Sequence, residues 1–152
     1  MPQNVYGAGD DDINGEFWKL LATGRFHAQQ CVACERHRFP PNNICPMCHS
    51  LAYRWLPVAG TAVVYSYTLI RRAPNEEWAA RAPYFLVAAQ LAEGPLVLGH
   101  LRATAEFPVE VGTQVDLVVV QASGARPIYE FEPTRCVVKP SGQRPVVASE
   151  PR

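Results

Sequence analysis

Cys31-Val-Ala-Cys34 and Cys45-Pro-Met-Cys48 stand ten residues apart, and the reading of this stretch decides the fold. Each pair can close a tight knuckle that presents two sulfurs to one ion, and a short excursion between knuckles lets four thiolates meet at about 2.3 Å from zinc. Four sulfurs leave no open coordination position. The expected cofactor is therefore a single structural Zn ion on Cys31, Cys34, Cys45 and Cys48, which staples a small subdomain and does not activate water. Disulfides or a redox pair are the alternative; neither pair opens a helix after a strand, as a thioredoxin-like motif does. His27, His37 and His49 lie close by and read as surface or packing residues. The fifth cysteine, Cys136, would need a positioned base to act as a nucleophile, and an enzyme built on it ranks last.

Outside the knuckles, 152 residues with 48% hydrophobic content allow one ordinary domain beside the metal-stapled one. No apolar stretch approaches the roughly 18 residues of a membrane span. The N-terminus opens polar and acidic where a targeting signal is basic and then apolar, so the expectation is a cytoplasmic protein without a membrane partner. Net charge is zero, with acidic stretches at 1–24 and 104–133 and basic ones at 25–54 and from 134 onward.

Asp10, Asp11 and Asp12 offer caps to a helix in which Ile13, Phe17, Leu20 and Leu21 recur on one face, widened by Trp18 and ended by Gly24. That stripe is expected to pack within the chain. Residues 25–30, a return strand Arg38-Phe39-Pro40-Pro41, and residues 53–56 complete a ribbon, and Pro57 and Gly60 mark its end. Residues 61–70 are β-branched and aromatic. Strict alternation puts Ala62, Val64 and Ile70 on one face and Val63, Tyr65, Tyr67 and Leu69 on the other. Residues 84–91 and 96–101 flank an Ala92-Glu93-Gly94-Pro95 hairpin, and residues 115–121 and 128–131 supply two further strands. Five such strands suit a small barrel of OB or SH3-like type, which the pattern alone does not separate. The expected divisions are an N-terminal segment and helix (1–24), a zinc ribbon (25–57), a barrel (58–133) and a proline-containing tail (134–152).

The 71–83 connection carries Arg71, Arg72 and Arg81 around Trp78, with a short helical turn expected to start at Asn75. The chain shows no convincing Ser/His/Asp or paired-carboxylate constellation. His100, at a strand end, is not assigned as a base.

Taken in order, the helix, Cys31-x-x-Cys34, Phe39-Pro40-Pro41, Cys45-Pro46-x-Cys48, Trp55, Gly60-Thr61, Tyr65-Ser66-Tyr67-Thr68, Pro83-Tyr84, Leu91-x-Glu93-Gly94 and Val111-Gly112-x-x-Val115 resemble one family. It is the acyl-CoA-associated zinc-ribbon/OB-fold family, long catalogued as a domain of unknown function, and the resemblance spans residues 13–133. The chain departs from it in its long tail and in having Glu35 and His49 where a glycine often follows a knuckle. The resemblance implies a mainly β protein: an N-terminal helix, a rubredoxin-like zinc ribbon, then a five-stranded OB-fold barrel. It further implies a non-catalytic accessory subunit that partners a thiolase-fold enzyme (thiolase, acyltransferase or sterol-carrier-type aldolase) and helps bind or channel an acyl-CoA thioester. A hot-dog-fold enoyl-CoA hydratase is the alternative partner.

For that role the candidate contacts with acyl-CoA or the partner are Arg71, Arg72, Arg81 and Arg102, whose guanidinium groups suit phosphate, and Trp78 as an aromatic anchor. Tyr65, Tyr67, Tyr84 and Phe85 are candidates to line a thioester channel, with core packing as the rival role. Zinc ribbons and OB barrels also bind single-stranded nucleic acid, but zero net charge makes nucleic acid the weaker partner.

Overall fold

Phe17 organises the first part of the chain. It lies buried in α1 (Ile13–Leu21), and its ring meets those of Phe26, Phe39, Trp55 and Tyr129 at centroid distances of 5.4, 5.3, 6.3 and 6.2 Å. The apolar stripe of the helix is thus spent inside the chain, as its narrowness requires. Gly24 ends the helix with φ 84°, donating its N–H to Leu21 O at 2.9 Å. This computed structural model describes residues 13–73, 75–121 and 126–134. The aspartate caps, Cys136 and the expected tail beyond Thr134 lie outside the described residues.

β1 (His27–Cys31), β2 (His37–Arg38) and β3 (Tyr53–Pro57) form the ribbon sheet in the order β2-β1-β3, all antiparallel. The return strand is shorter than expected. Only His37 and Arg38 pair, because Pro40 and Pro41 have no N–H to donate to a ladder. Glu16 ties the helix to this sheet by accepting from Trp55 Nε1 at 3.0 Å and from the Tyr53 hydroxyl at 3.4 Å.

β4 (Thr61–Ile70), β5 (Tyr84–Leu91), β6 (Leu96–Leu101), β7 (Gln114–Val120) and β8 (Ile128–Pro133) close a barrel in the order β4-β5-β6-β8-β7, with β7 returning to β4 through Ala62↔Val115. β6 and β8 meet in parallel at Leu101↔Phe131, and every other neighbour is antiparallel. This five-stranded Greek-key closure is the OB arrangement that the sequence pattern left open. The inner face holds Val64, Val87, Leu91, Val97, Leu101, Val115 and Phe131. In the 71–83 connection, Asn75 Oδ1 accepts from Trp78 N at 3.0 Å and starts the single turn of α2 (Glu76–Ala79), as expected. No helix among the described residues is long and apolar enough to cross a membrane.

The two faces of β4 differ from strict alternation. Its register with β5 slips between Val64 and Ser66, so Tyr65 is an extra residue in a β-bulge. Val63 pairs with Gln90 on the outside, whereas beyond the bulge Ser66, Thr68 and Ile70 take the outer positions, opposite Ala88, Leu86 and Tyr84. Tyr67 and Leu69 take the inner-face register opposite Val87 and Phe85, Leu69 packing against the core and Tyr67 staying partly exposed at the barrel end. One inserted residue reverses every later side chain, and it moves Ser66 and Thr68, which strict alternation places with Ala62 and Val64, to the outside.

Candidate zinc centre and arginine-lined cleft

The two knuckles share one hydrogen-bond pattern. Cys31 N–H donates to Arg36 O and Glu35 N–H to Cys31 O, both at 3.0 Å; Cys45 N–H donates to Ser50 O and His49 N–H to Cys45 O, both at 2.9 Å. To make these turns Glu35 and His49 adopt φ 60° and 59°, the left-handed region that glycine enters without strain. The two positions where the sequence lacks the expected glycine are therefore the two that need one.

The knuckles bring Cys31 Sγ to 3.5 Å from Cys48 Sγ and Cys34 Sγ to 3.7 Å from Cys45 Sγ, with all four sulfurs within 4.8 Å of one another. A tetrahedron with metal–sulfur bonds of about 2.3 Å has edges of about 3.8 Å, so the four fit a zinc ion. A disulfide needs about 2.05 Å, which excludes that alternative for these cysteines. Backbone N–H groups prepare the sulfurs. Those of Cys34 and Ala33 lower the Cys31 thiol, and those of Cys48 and Met47 bring Cys45 down to about 6. For Cys48, the Ser50 backbone N–H works in the same direction, but its contacts with Cys31 and the other sulfurs, with burial, push it up to about 12. Crowded thiolates resist the last ionisation, and the cation of a bound metal removes that resistance. His27 instead hydrogen-bonds Arg25 O at 3.0 Å, and the metal-competent cluster among the described residues consists of the four cysteines alone.

A second site lies on the barrel. Glu130 of β8 is buried, and its carboxylate faces Arg81 Nη1 at 3.2 Å, His100 Nδ1 at 3.2 Å and Arg102 Nε at 3.5 Å. These partners come from the 71–83 connection, from β6 and from the residue after it. Arg81 also lies over the Trp78 ring at 4.8 Å, and Trp78 packs on Tyr84 and His100 with centroids 5.0 and 5.5 Å away. The result is a cleft with two adjacent parts. One, of about 820 Å³, is lined by Arg81, Arg102, Arg126 and Glu130; the other, of about 630 Å³, by Trp18, Ile70, Arg72, Trp78, Leu86 and Leu98. Tyr84, His100, Ile128 and Glu130 border both. Arg81 and Arg102 remain about half exposed and keep N–H groups for a ligand, Arg81 held by Glu130 and Arg102 by Glu130 and, at 2.5 Å from its Nη1, by Glu132.

Five residues singled out from the sequence, Arg72, Trp78, Arg81, Tyr84 and Arg102, line this one cleft. Arg71 is exposed but is not part of its wall, Tyr65 stands outward on the bulge, and Tyr67 faces the barrel end against Phe85 at 6.2 Å. Phe85 takes the packing role given as the rival for these aromatics: it points inward and is 5% exposed within the barrel core. Sequence reasoning missed Glu130, Arg126 and Trp18 as cleft residues. A glutamate in a strand reads as solvent-facing, and its three basic partners are drawn from chain positions up to 49 residues away. Trp18 was assigned to a helix face, and there it supports Arg126, whose guanidinium lies 5.1 Å over its ring.

Residues 18–54 match the rubredoxin-like zinc ribbon domain of ChsH2, and residues 55–120 match the ChsH2 C-terminal OB-fold domain. A DUF35 domain-containing scaffold protein of Pyrococcus furiosus is 30% identical over 112 residues, covering 74% of this chain and 77% of that protein. A probable enoyl-CoA hydratase alpha subunit of Thermomonospora curvata is 32% identical over 118 residues, 77% of this chain; the chain spans only 36% of that relative's length. Among solved structures, a chain of the Ltp2-ChsH2(DUF35) aldolase superposes with a TM-score of 0.72 at 29% identity, over 84% of this chain and 98% of that one. A DUF35-family protein of unknown function from Sulfolobus solfataricus shares the fold at a TM-score of 0.59 and 15% identity, over 82% and 87% of the two chains. With ribbon and barrel matched in order and a scaffold protein related over three quarters of its length, this chain belongs to the DUF35 family in its ChsH2-like form, a zinc ribbon followed by an OB fold.

Proposed function

We propose that this protein is a non-catalytic accessory subunit that docks on a thiolase-fold enzyme in the cytoplasm and helps bind or channel an acyl-CoA thioester. The observation that carries this reading is the cleft, in which Arg72, Arg81, Arg102 and Arg126 meet an apolar wall with Trp78 and Tyr84 on it. Guanidinium groups suit phosphate oxygens and the aromatic rings suit a base, whereas the one buried carboxylate is already engaged by three basic partners. That is a site for holding an anion. The Ltp2-ChsH2(DUF35) aldolase supports the partner assignment, because the chain alike in fold there belongs to an aldolase assembly by its description. In this reading the barrel (58–133) contacts the thioester, and the helix and ribbon (13–57) add contact area toward the enzyme.

The similarity to a probable enoyl-CoA hydratase alpha subunit favours a second partner, a hydratase, over the same kind of thioester. One experiment separates the two. The tagged chain is purified from its native extract, and the mass of the intact complex and the identity of the stoichiometric partner are measured. A thiolase-fold subunit in fixed ratio is the expected result, and a hydratase transfers the same role to the second reading. Calorimetric titration with CoA then tests the cleft: micromolar-class binding weakened by Arg81→Ala and Arg102→Ala is expected, and affinity indifferent to both removes the cleft from the function.

A further inference from the structure

We propose that the acyl group of the thioester lies on the outside of the barrel, on an uncharged strip that starts in the apolar part of the cleft at Leu86 and Leu98 and continues to Leu96, Val63 and Tyr65. This rests on the reading of the cleft as an acyl-CoA site, and it adds where the acyl group goes and which residues discriminate it.

The strip follows from the register. Leu86 pairs with His100, Ala88 with Leu98 and Gln90 with Leu96, while Val63 pairs with Gln90 from the other side, so these side chains share the outer face of β4, β5 and β6. The bulge adds Tyr65 to the edge of the same region. Leu98 is 58% exposed and Tyr65 63%, with Leu96 and Val63 close behind, an unusual concentration of large apolar side chains in water on one sheet.

Charge distribution supplies the occupant. β4, β5 and β6 together contain no Asp, Glu, Lys or Arg, whereas Arg81, Arg102 and Glu130 gather at one end, around His100. The cationic and apolar parts of the cleft are adjacent, with Tyr84, His100, Ile128 and Glu130 bordering both. A ligand that is anionic at one end and hydrocarbon at the other matches both parts at once. From His100 to Leu96 the strand advances about 13 Å, at about 3.3 Å per residue, so a molecule anchored at the arginines reaches along the strip. The hydrocarbon gains by leaving water and displaces no hydrated charge.

The test is calorimetric titration of the full chain with CoA, acetyl-CoA and octanoyl-CoA, below the concentrations at which the thioesters aggregate. The expected result is an affinity that rises from CoA to octanoyl-CoA by about tenfold or more. In Leu98→Asp or Leu96→Asp, both at exposed positions whose replacement leaves the core intact, the ratio of octanoyl-CoA to CoA affinity falls toward one. In Arg102→Ala all three ligands weaken together while the ratio persists, which separates placement on the strip from indiscriminate adsorption of hydrocarbon. Affinity independent of acyl length, or a ratio unmoved by both aspartates, overturns the inference while the cleft keeps its CoA. No affinity for any of the three ligands overturns both this inference and the acyl-CoA reading.

Discussion

Replacing Gly99 by alanine tests the packing that holds the cleft in place. Gly99 stands on β6 between Leu98 and His100, two residues of the cleft wall, and it points into the barrel. A Cβ there would lie 2.9 and 3.0 Å from two ring carbons of Phe131, closer than carbon atoms approach without something moving. Phe131 is fully buried and cannot swing into solvent, and β6 is held by its pairing with β5 through Val87↔Gly99. The strain therefore spreads into the β6 backbone. Overpacking of this kind costs about 1–3 kcal/mol, offset by about 0.5–1 kcal/mol because alanine restricts the unfolded chain. The net expectation is a loss of about 1–2 kcal/mol, a fall in Tm of about 3–6 °C for a chain of this size. Denaturant and thermal melts of Gly99→Ala, Phe131→Leu and the double variant form the assay. Leucine removes the clashing ring carbons, so the double variant should be more stable than the sum of the single losses by about 1 kcal/mol. A neutral Gly99→Ala, or losses that simply add, would refute the proposed ring contact.

Three further outcomes follow from the two sites. Cys34→Ser or Cys45→Ser should bring the bound zinc, read by elemental mass spectrometry, below stoichiometric and loosen the aromatic cluster that includes Trp55 and Phe39, seen in near-ultraviolet circular dichroism; full zinc retention would sink the four-thiolate site. Glu35→Gly and His49→Gly each release a left-handed backbone strain of about 1–2 kcal/mol, offset by about 0.5–1 kcal/mol for the freer unfolded chain, and should tighten zinc by about two- to fivefold in competition with a chelator; weaker binding would show that the turns are not strained. Glu130→Ala leaves Arg81, His100 and Arg102 without their shared carboxylate, with an expected loss of about 2 kcal/mol and faster tryptic cleavage after Arg81; an unchanged cleavage rate would mean that Glu130 does not hold the 71–83 connection.

Local chemistry was legible in the sequence, and register was not. Cysteine spacing gives the metal site because a knuckle is a local turn, and Asn75 gives the start of α2 because its side chain reaches only three residues along the chain. The absence of glycine after each knuckle was visible as well, and it coincides with positive φ at Glu35 and His49. The faces of β4 were not legible. Strict alternation puts Ser66 and Thr68 on the face of Ala62 and Val64, and that mismatch is the trace the bulge leaves, but two small hydroxyl residues in a run this apolar do not locate an inserted residue at Tyr65. Arg72, Arg81 and Arg102 could be picked out as phosphate-competent, but their convergence depends on Glu130, which a strand reading places in water.

The aromatic cluster joins the metal centre to the cleft, and it gives a reason for the two to occur in one small chain. Phe17 contacts Trp18, Phe26, Phe39, Trp55 and Tyr129, and Phe26 and Phe39 each meet Tyr129 as well, at 5.0 and 6.0 Å. Phe39 and Trp55 belong to the ribbon, whose few short strands bury too little apolar surface to fold unaided. Zinc binding is therefore folding free energy for that half of the cluster. Tyr129 precedes Glu130 on β8, and Trp18 forms part of the cleft wall beneath Arg126. Zinc binding would thus order, through packed rings rather than through any ligand contact, the ribbon side of a cluster whose other side holds Trp18 and Tyr129, the neighbour of Glu130 on a strand already held by its pairing with β7.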